Sequence, residues 1–254
     1  MKKAILYTII FAAIQMMVTP AVMAIAKLFT GKSVGLNDPT ILIVCMTIAS
    51  LLSVALFIAM KWFIPSRAYI RSRPWDVLIW TAIAACGAII PSIWFQEQMP
   101  ELPNFAEETL TSIMGSRWGY VTIGLLAPIA EEVVFRGAIL RELLGWTHRH
   151  WVAIAISALL FALIHANPAQ MPHALIIGML LGWLYYRTDS IVPGLAYHWV
   201  NNSIAYAFYA LYPDPSTKLI DILGSNLHVA AALGFSVLIL VPALFQLNLR
   251  LKKA

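Results

Sequence analysis

"APIAEEVVFRG", residues 127–137, sets two adjacent glutamates and an arginine inside a run that otherwise reads as a membrane helix. On the insertion scale an ionised residue at a span centre costs about 2.5–3.5 kcal/mol, and each large apolar residue returns only about 0.3–0.6. Glu131, Glu132 and Arg136 together therefore cost roughly 8 kcal/mol, counting Glu like Asp, against about 5 offset by the apolar residues between Val121 and Leu140. A helix with that balance must turn its polar face to protein or to a wet cavity. The stretch thus demands a bundle of membrane helices packed around it.

The rest of the chain supplies such a bundle. Hydrophobic residues make up 61% of the 254 residues and charged residues 11%, where soluble domains carry about 25% charged residues. The mean hydropathy is +0.79. A helix needs about 20 mostly apolar residues to cross a bilayer. Eight stretches qualify as candidates, roughly 4–28, 41–63, 75–95, 118–144, 151–166, 172–186, 191–211 and 226–248, the fifth and sixth being short. The expected fold is all-α: a polytopic bundle of about eight transmembrane helices, forming a single integral membrane domain over 1–254. No sequence repeat, low-complexity tract or nucleic-acid motif stands out. The opening "MKKAILYTIIFAAIQMMVTPAVMAIA" has signal-peptide features, but its long apolar run and the spans that follow favour a retained first helix.

Charge distribution predicts the topology. With the N-terminus in the cytoplasm, the inner segments hold Lys2, Lys3, Lys61, Arg67, Arg71, Arg73, Arg141, Arg149, Arg187, Arg250, Lys252 and Lys253. The outer segments hold only Lys27, Lys32, Arg117 and Lys218. The positive-inside rule then puts both termini in the cytoplasm, with the cell inner membrane as the expected location. Trp62, Trp75, Trp94, Trp118, Trp146 and Trp151 fall near span ends, as an interfacial belt does; Trp80 and Trp199 do not. Cys45 and Cys86 lie in apolar spans without metal-type spacing and read as packing residues. "GMLLG", residues 178–182, is a small-xxx-small face that lets a neighbouring helix approach closely.

Helical spacing separates the two glutamates. Glu132 and Arg136 are i, i+4, the favourable order for an ion pair. Glu131 points about 100° away. One carboxylate is neutralised while the other is available for chemistry. Pro128 lacks a donor and crowds the carbonyl of Gly124, which predicts a kink or an opened backbone. An ion pair between helices with no reaction would explain Glu132 and Arg136, but not Glu131. Other polar groups lie within later spans: His165 ends "FALIH", and "HWVNN" carries His198 with Asn202 one turn on. Counted from the cytoplasmic ends at 1.5 Å per residue, Glu131 and His165 lie about 20 Å deep and His198 about 10 Å. His148 and His150 flank Arg149 in a short loop, and His173 and His228 lie near span ends; none of these needs a function.

"EEVVFR", "FALIH" and "HWVNN" resemble, in order, the EExxxR, FxxxH and HxxxN motifs of the CAAX prenyl protease 2 family, also called Abi or CPBP intramembrane proteases. The resemblance covers about residues 118–211, the catalytic core of that family. It implies a membrane endopeptidase in which Glu131 and His165 hold and activate a water. His198 and Asn202 would face the developing oxyanion, with Glu132 and Arg136 in support. It implies a protein or peptide substrate at the bilayer and no nucleic acid. Eukaryotic members process prenylated CaaX proteins; many bacterial members are linked to bacteriocin self-immunity or surface-protein processing.

Peptide hydrolysis needs a nucleophilic water, a base, and donors for the developing charge, and these residue types provide all three. No G-x-S-x-G, reactive cysteine constellation or H-E-x-x-H is present. Glu131, His165 and His198 could instead form a zinc site with one open position. The metal-free reading is preferred, since Asn202 beside His198 makes sense as a second donor and asparagine is a poor zinc ligand. Two other classes share the pattern of buried charge. A transporter or channel also carries intramembrane charges, and a non-catalytic immunity-type scaffold would use the same helices without turnover.

Overall fold

The structure, a computed structural model, describes residues 1–30, 38–66, 69 and 75–251. Lys32, Arg67, Arg71, Arg73, Lys252 and Lys253, which carry part of the charge asymmetry, lie outside the described residues. All regular structure among the described residues is helical. Helix α1 spans Lys2–Thr30, α2 Pro39–Ala59, α3 Trp75–Gln98 and α4 Glu107–Met114. The EExxxR region runs as a π-helical stretch Tyr120–Leu126, α5 Ala127–Glu131, a second π-helical stretch Glu132–Leu140, and α6 Arg141–Thr147. Then follow α7 His150–Ile164, α8 Met171–Thr188, α9 Val192–Leu211, α10 Leu219–Leu223 and α11 Asn226–Arg250.

Four of these helices, α1, α2, α3 and α11, are long and apolar enough to cross a membrane by length and composition, and α7 is a shorter apolar helix. Their lipid-type surfaces are visible: Ile9, Met16 and Phe29 on α1, and Phe235, Leu238 and Phe245 on α11, are all more than half exposed. The second span ends earlier than its hydropathy suggests. Asp38 caps α2 by accepting from the backbone N–H groups of Thr40 and Ile41. At the other end Lys61 adopts φ 57°, and the N–H groups of Trp62 and Phe63 donate back to the Phe57 carbonyl. Trp62 therefore stacks on Tyr7 at 4.7 Å.

The chain divides into two compact units. The first comprises Met1–Pro65 and Asn104–Gly182. Here α1 and α2 pack on each other and on the EExxxR region, with α7 against its second π-helical stretch. The core is aromatic: Phe135 meets Phe11 and Phe161 edge-on at 5.6 and 5.3 Å. The GMLLG face does what its small residues allow. A Cβ on Gly178 would stand 3.0 Å from the Ala158 methyl, and one on Gly182 would stand 2.9 Å from the Ile154 side chain. The bare glycines let α8 close on α7.

The second unit comprises Ser66–Pro103 and Trp183–Ala254. Its centre is α3, packed against α9 and α11. A Cβ on Gly87 would stand 2.8 Å from the backbone nitrogen of Leu240, so α3 and α11 touch almost backbone to backbone. At one end of this pair Arg250 Nε lies 2.6 Å from the Asp76 carboxylate, and the guanidinium covers the Trp80 ring. Arg187 donates to the side chain and carbonyl of Asn248 at 3.0 Å each, and to the Leu251 carbonyl. These bonds hold the last turn of α8 against the end of α11.

Candidate active site

The fourth expected span is not one regular helix. Pro128, at the second position of α5, has no N–H to give, and the backbone before it is wound wide. The Ala127 N–H reaches the Thr122 carbonyl, a five-residue bond. That is the opened backbone expected around Pro128. The second wide stretch begins at Glu132 and carries every residue through Leu140 into the core. Ser157 on α7 donates to the Phe135 carbonyl at 3.0 Å. Short π-helical insertions of this kind often mark functional sites.

The two glutamates part as their spacing predicts. Glu132 is fully buried and pairs with Arg136 at 2.9 Å; the arginine is 1% exposed. Arg136 Nη2 also donates to the Gly178 carbonyl at 3.4 Å, and its guanidinium lies 4.4 Å over the Phe161 ring. A buried ion pair of this kind survives in a low-dielectric core only because each charge is matched.

Glu131 is only half-buried and lines a cavity of about 250 Å³ in the first unit. His165 lines the same cavity, with Gln15 of α1 and Ser50 of α2 as further polar groups. The equal depth predicted for Glu131 and His165 is thus realised as one shared cavity. His165 follows the last residue of α7 as its C-cap. Its Nδ1 lies 2.8 Å from the Phe161 carbonyl. A carbonyl only accepts, so Nδ1 carries the proton, which in the neutral imidazole leaves the lone pair on Nε2. The imidazole stands edge-on to Phe161 at 5.0 Å. Phe161 therefore joins the ion pair to the histidine: Arg136 covers the ring and His165 packs perpendicular to it.

Local backbone features fix where α7 stops. Ala166, directly after His165, adopts φ 49°. Asn167 is 1% exposed; it donates to Asn104 Oδ1 at 2.8 Å and accepts from the Phe105 N–H at 3.0 Å. Phe161 is the aromatic position of "FALIH", whereas the motifs do not single out Asn167, Gln15 or Ser50 as participants. The signal that could have found Gln15 is an amide midway along an otherwise apolar span.

His198 and Asn202 belong to the second unit, on α9. His198 is buried, 6% exposed, and Asn202 is half-buried one turn later on the same face. The neighbouring Asn201 is also buried, and its amide donates to Asn202 Oδ1 at 3.2 Å. In this amide orientation the other end of Asn202 is a pure donor, the polarity that an oxyanion site requires. His165 Nε2 could face either a water or a metal. Among the described residues of the first unit, no third His, Cys, Asp or Glu joins Glu131 and His165 in a ligand cluster. The remaining ligand of a zinc site, His198, is a residue of the second unit.

The model of the Rce1-like family, type II CAAX prenyl endopeptidases, matches residues 113–204. No curated protein and no solved structure matches the chain. The matched segment contains all three motifs, and residues before 113 and after 204 lie outside it. An ion-paired glutamate beside a cavity-lining one, a histidine on the same cavity, and a His–Asn face on α9 are the structural content of those motifs. Over residues 113–204 this helical chain is thus similar to the type II CAAX prenyl endopeptidases of the Rce1-like family.

Proposed function

We propose that the protein is an intramembrane endopeptidase in which Glu131 and His165 hold and activate the attacking water. The observation that carries this reading is the shared cavity. Two groups able to take a proton line one pocket, and the neighbouring Glu132 is neutralised by Arg136. A cavity of about 250 Å³ is ample for a water, which needs only some 10–15 Å³ of such volume. The water gives a proton to the base while its oxygen bonds to the peptide carbonyl carbon. The C–N bond then breaks, and the departing amine takes a proton. His198 and Asn202 supply the hydrogen bonds to the oxyanion in this reading. The metal-free form is preferred because the Asn202 amide suits a donor better than a zinc ligand.

The substrate class is a peptide segment reaching the site from the membrane, and a prenylated C-terminal CaaX peptide is the first to try. Purified protein in lipid nanodiscs, given farnesylated and unprenylated peptides of one sequence, tests this by mass spectrometry of the products. The reading expects cleavage, and faster cleavage of the farnesylated peptide if the substrate is of CaaX type. Equal rates on both peptides would remove the prenyl requirement. A comparison of the membrane peptidome with and without Glu131→Gln covers other substrates. No difference in that comparison, together with no cleavage of either peptide, would overturn the enzyme reading.

A further inference from the structure

A second cavity, of about 510 Å³, opens at the end of the first unit where α1 begins, between Lys2 and Lys3 of α1 and Arg141, Glu142 and Trp146 of α6. Its side chains bring three cations and one carboxylate, an excess of two positive charges (3 − 1). Glu142 stands 3.5 Å from Lys3 Nζ, but that lysine is 67% exposed, so the pair is weak and does not consume the site. Like charges gathered around a cavity repel unless an anion joins them.

The surroundings say which anion. Beyond Lys3, α1 continues with Ile5, Leu6 and Ile9 exposed at 46%, 49% and 59%. Trp146 at the cavity and Trp151 at the start of α7 are 51% and 53% exposed, the placement of aromatic residues at a membrane interface. A basic pocket over an exposed apolar helix face matches a molecule with an anionic head and hydrocarbon tails. Basic pockets between membrane helices are recurrent sites for anionic headgroups. We infer that this cavity binds the phosphate headgroup of an anionic phospholipid, with its acyl chains along the exposed face of α1. The site is separate from the Glu131–His165 cavity and does not depend on the proteolytic reading.

Binding is measured on the full chain in detergent by titrating phosphatidylglycerol, phosphatidylcholine or inorganic phosphate, with native mass spectrometry counting retained lipid. Phosphatidylglycerol should bind, and phosphatidylcholine should bind markedly more weakly. Each basic side chain near a membrane surface contributes about fivefold in affinity. The double variant Lys2→Gln/Lys3→Gln should therefore weaken phosphatidylglycerol about 25-fold. Adding Arg141→Gln should extend the loss to about 100-fold, and Lys218→Gln in the second unit should change nothing. If Arg141→Gln fails to fold, the double variant decides, because its lysines lie on the exposed start of α1. Equal binding of both lipids, or full affinity in the double variant, would overturn the proposal. Inorganic phosphate binding as tightly as phosphatidylglycerol would overturn the lipid as ligand and leave a soluble-anion site.

Discussion

Glu131 and Glu132 are neighbours in the chain with separate physical roles. Glu132 has no exposed surface and holds Arg136 at 2.9 Å. Glu132→Gln leaves a buried guanidinium without its counter-charge, which typically costs about 3–5 kcal/mol. The expected result is a large drop in melting temperature, with lost activity following lost fold. Arg136→Gln should behave alike. It should also loosen His165, because the guanidinium covers the Phe161 ring that the imidazole abuts. On α9, Asn202→Ala should remove one oxyanion donor and lower kcat by about 10²–10³ with little change in KM. Elemental analysis of detergent-purified wild type and His198→Ala separates the two mechanisms. The metal-free reading expects no stoichiometric zinc in either. About one zinc per wild-type chain that disappears with His198 would establish the metal site instead.

The elements show what hydropathy and spacing carry and what they do not. Every expected span contains helix, because long apolar runs leave the backbone no partner but itself. The Glu132–Arg136 pair was legible from its i, i+4 spacing, and the close approach of α7 and α8 from GMLLG. The wide winding on both sides of Pro128 was only half legible. Proline marks where a hydrogen bond is missing, but the register the chain then adopts depends on packing, here on Ser157 reaching the Phe135 carbonyl. Helix α4, "EETLTSIM", is too short and polar to register as a span, and α10 is shorter still. Gln15 and Ser50 carry no motif, so their place in the cavity emerges only when α1 and α2 pack together. The packing itself is testable. Gly178→Val would push into Ala158 and Phe161 and strain the Arg136 contact to the Gly178 carbonyl, an overpacking cost of about 1–3 kcal/mol. Gly234→Ala on α11 meets nothing within 4 Å. It should be neutral or stabilise by up to about 1 kcal/mol. Thermal melts of the two variants in one detergent make the comparison, and equal shifts would contradict the close α7–α8 contact.

On the scale of the whole molecule, the exposed apolar faces of α1 and α11 and the four span-length helices make this an integral membrane protein. The basic residues set its proposed orientation, with both termini cytoplasmic and the Glu97–Glu108 connection outside. Reporter fusions after Ala254 and near Asn104 check this, and a C-terminal reporter active only outside the cell would reverse it. The central claim is that a membrane-embedded cavity holding Glu131 and His165 hydrolyses peptide bonds. Its most direct test is turnover of a membrane peptide by monodisperse wild type and Glu131→Gln side by side, with mass spectrometry of the new chain ends. The account predicts cleavage by the wild type and none by Glu131→Gln at equal folded fraction; wild-type turnover from folded Glu131→Gln would contradict it.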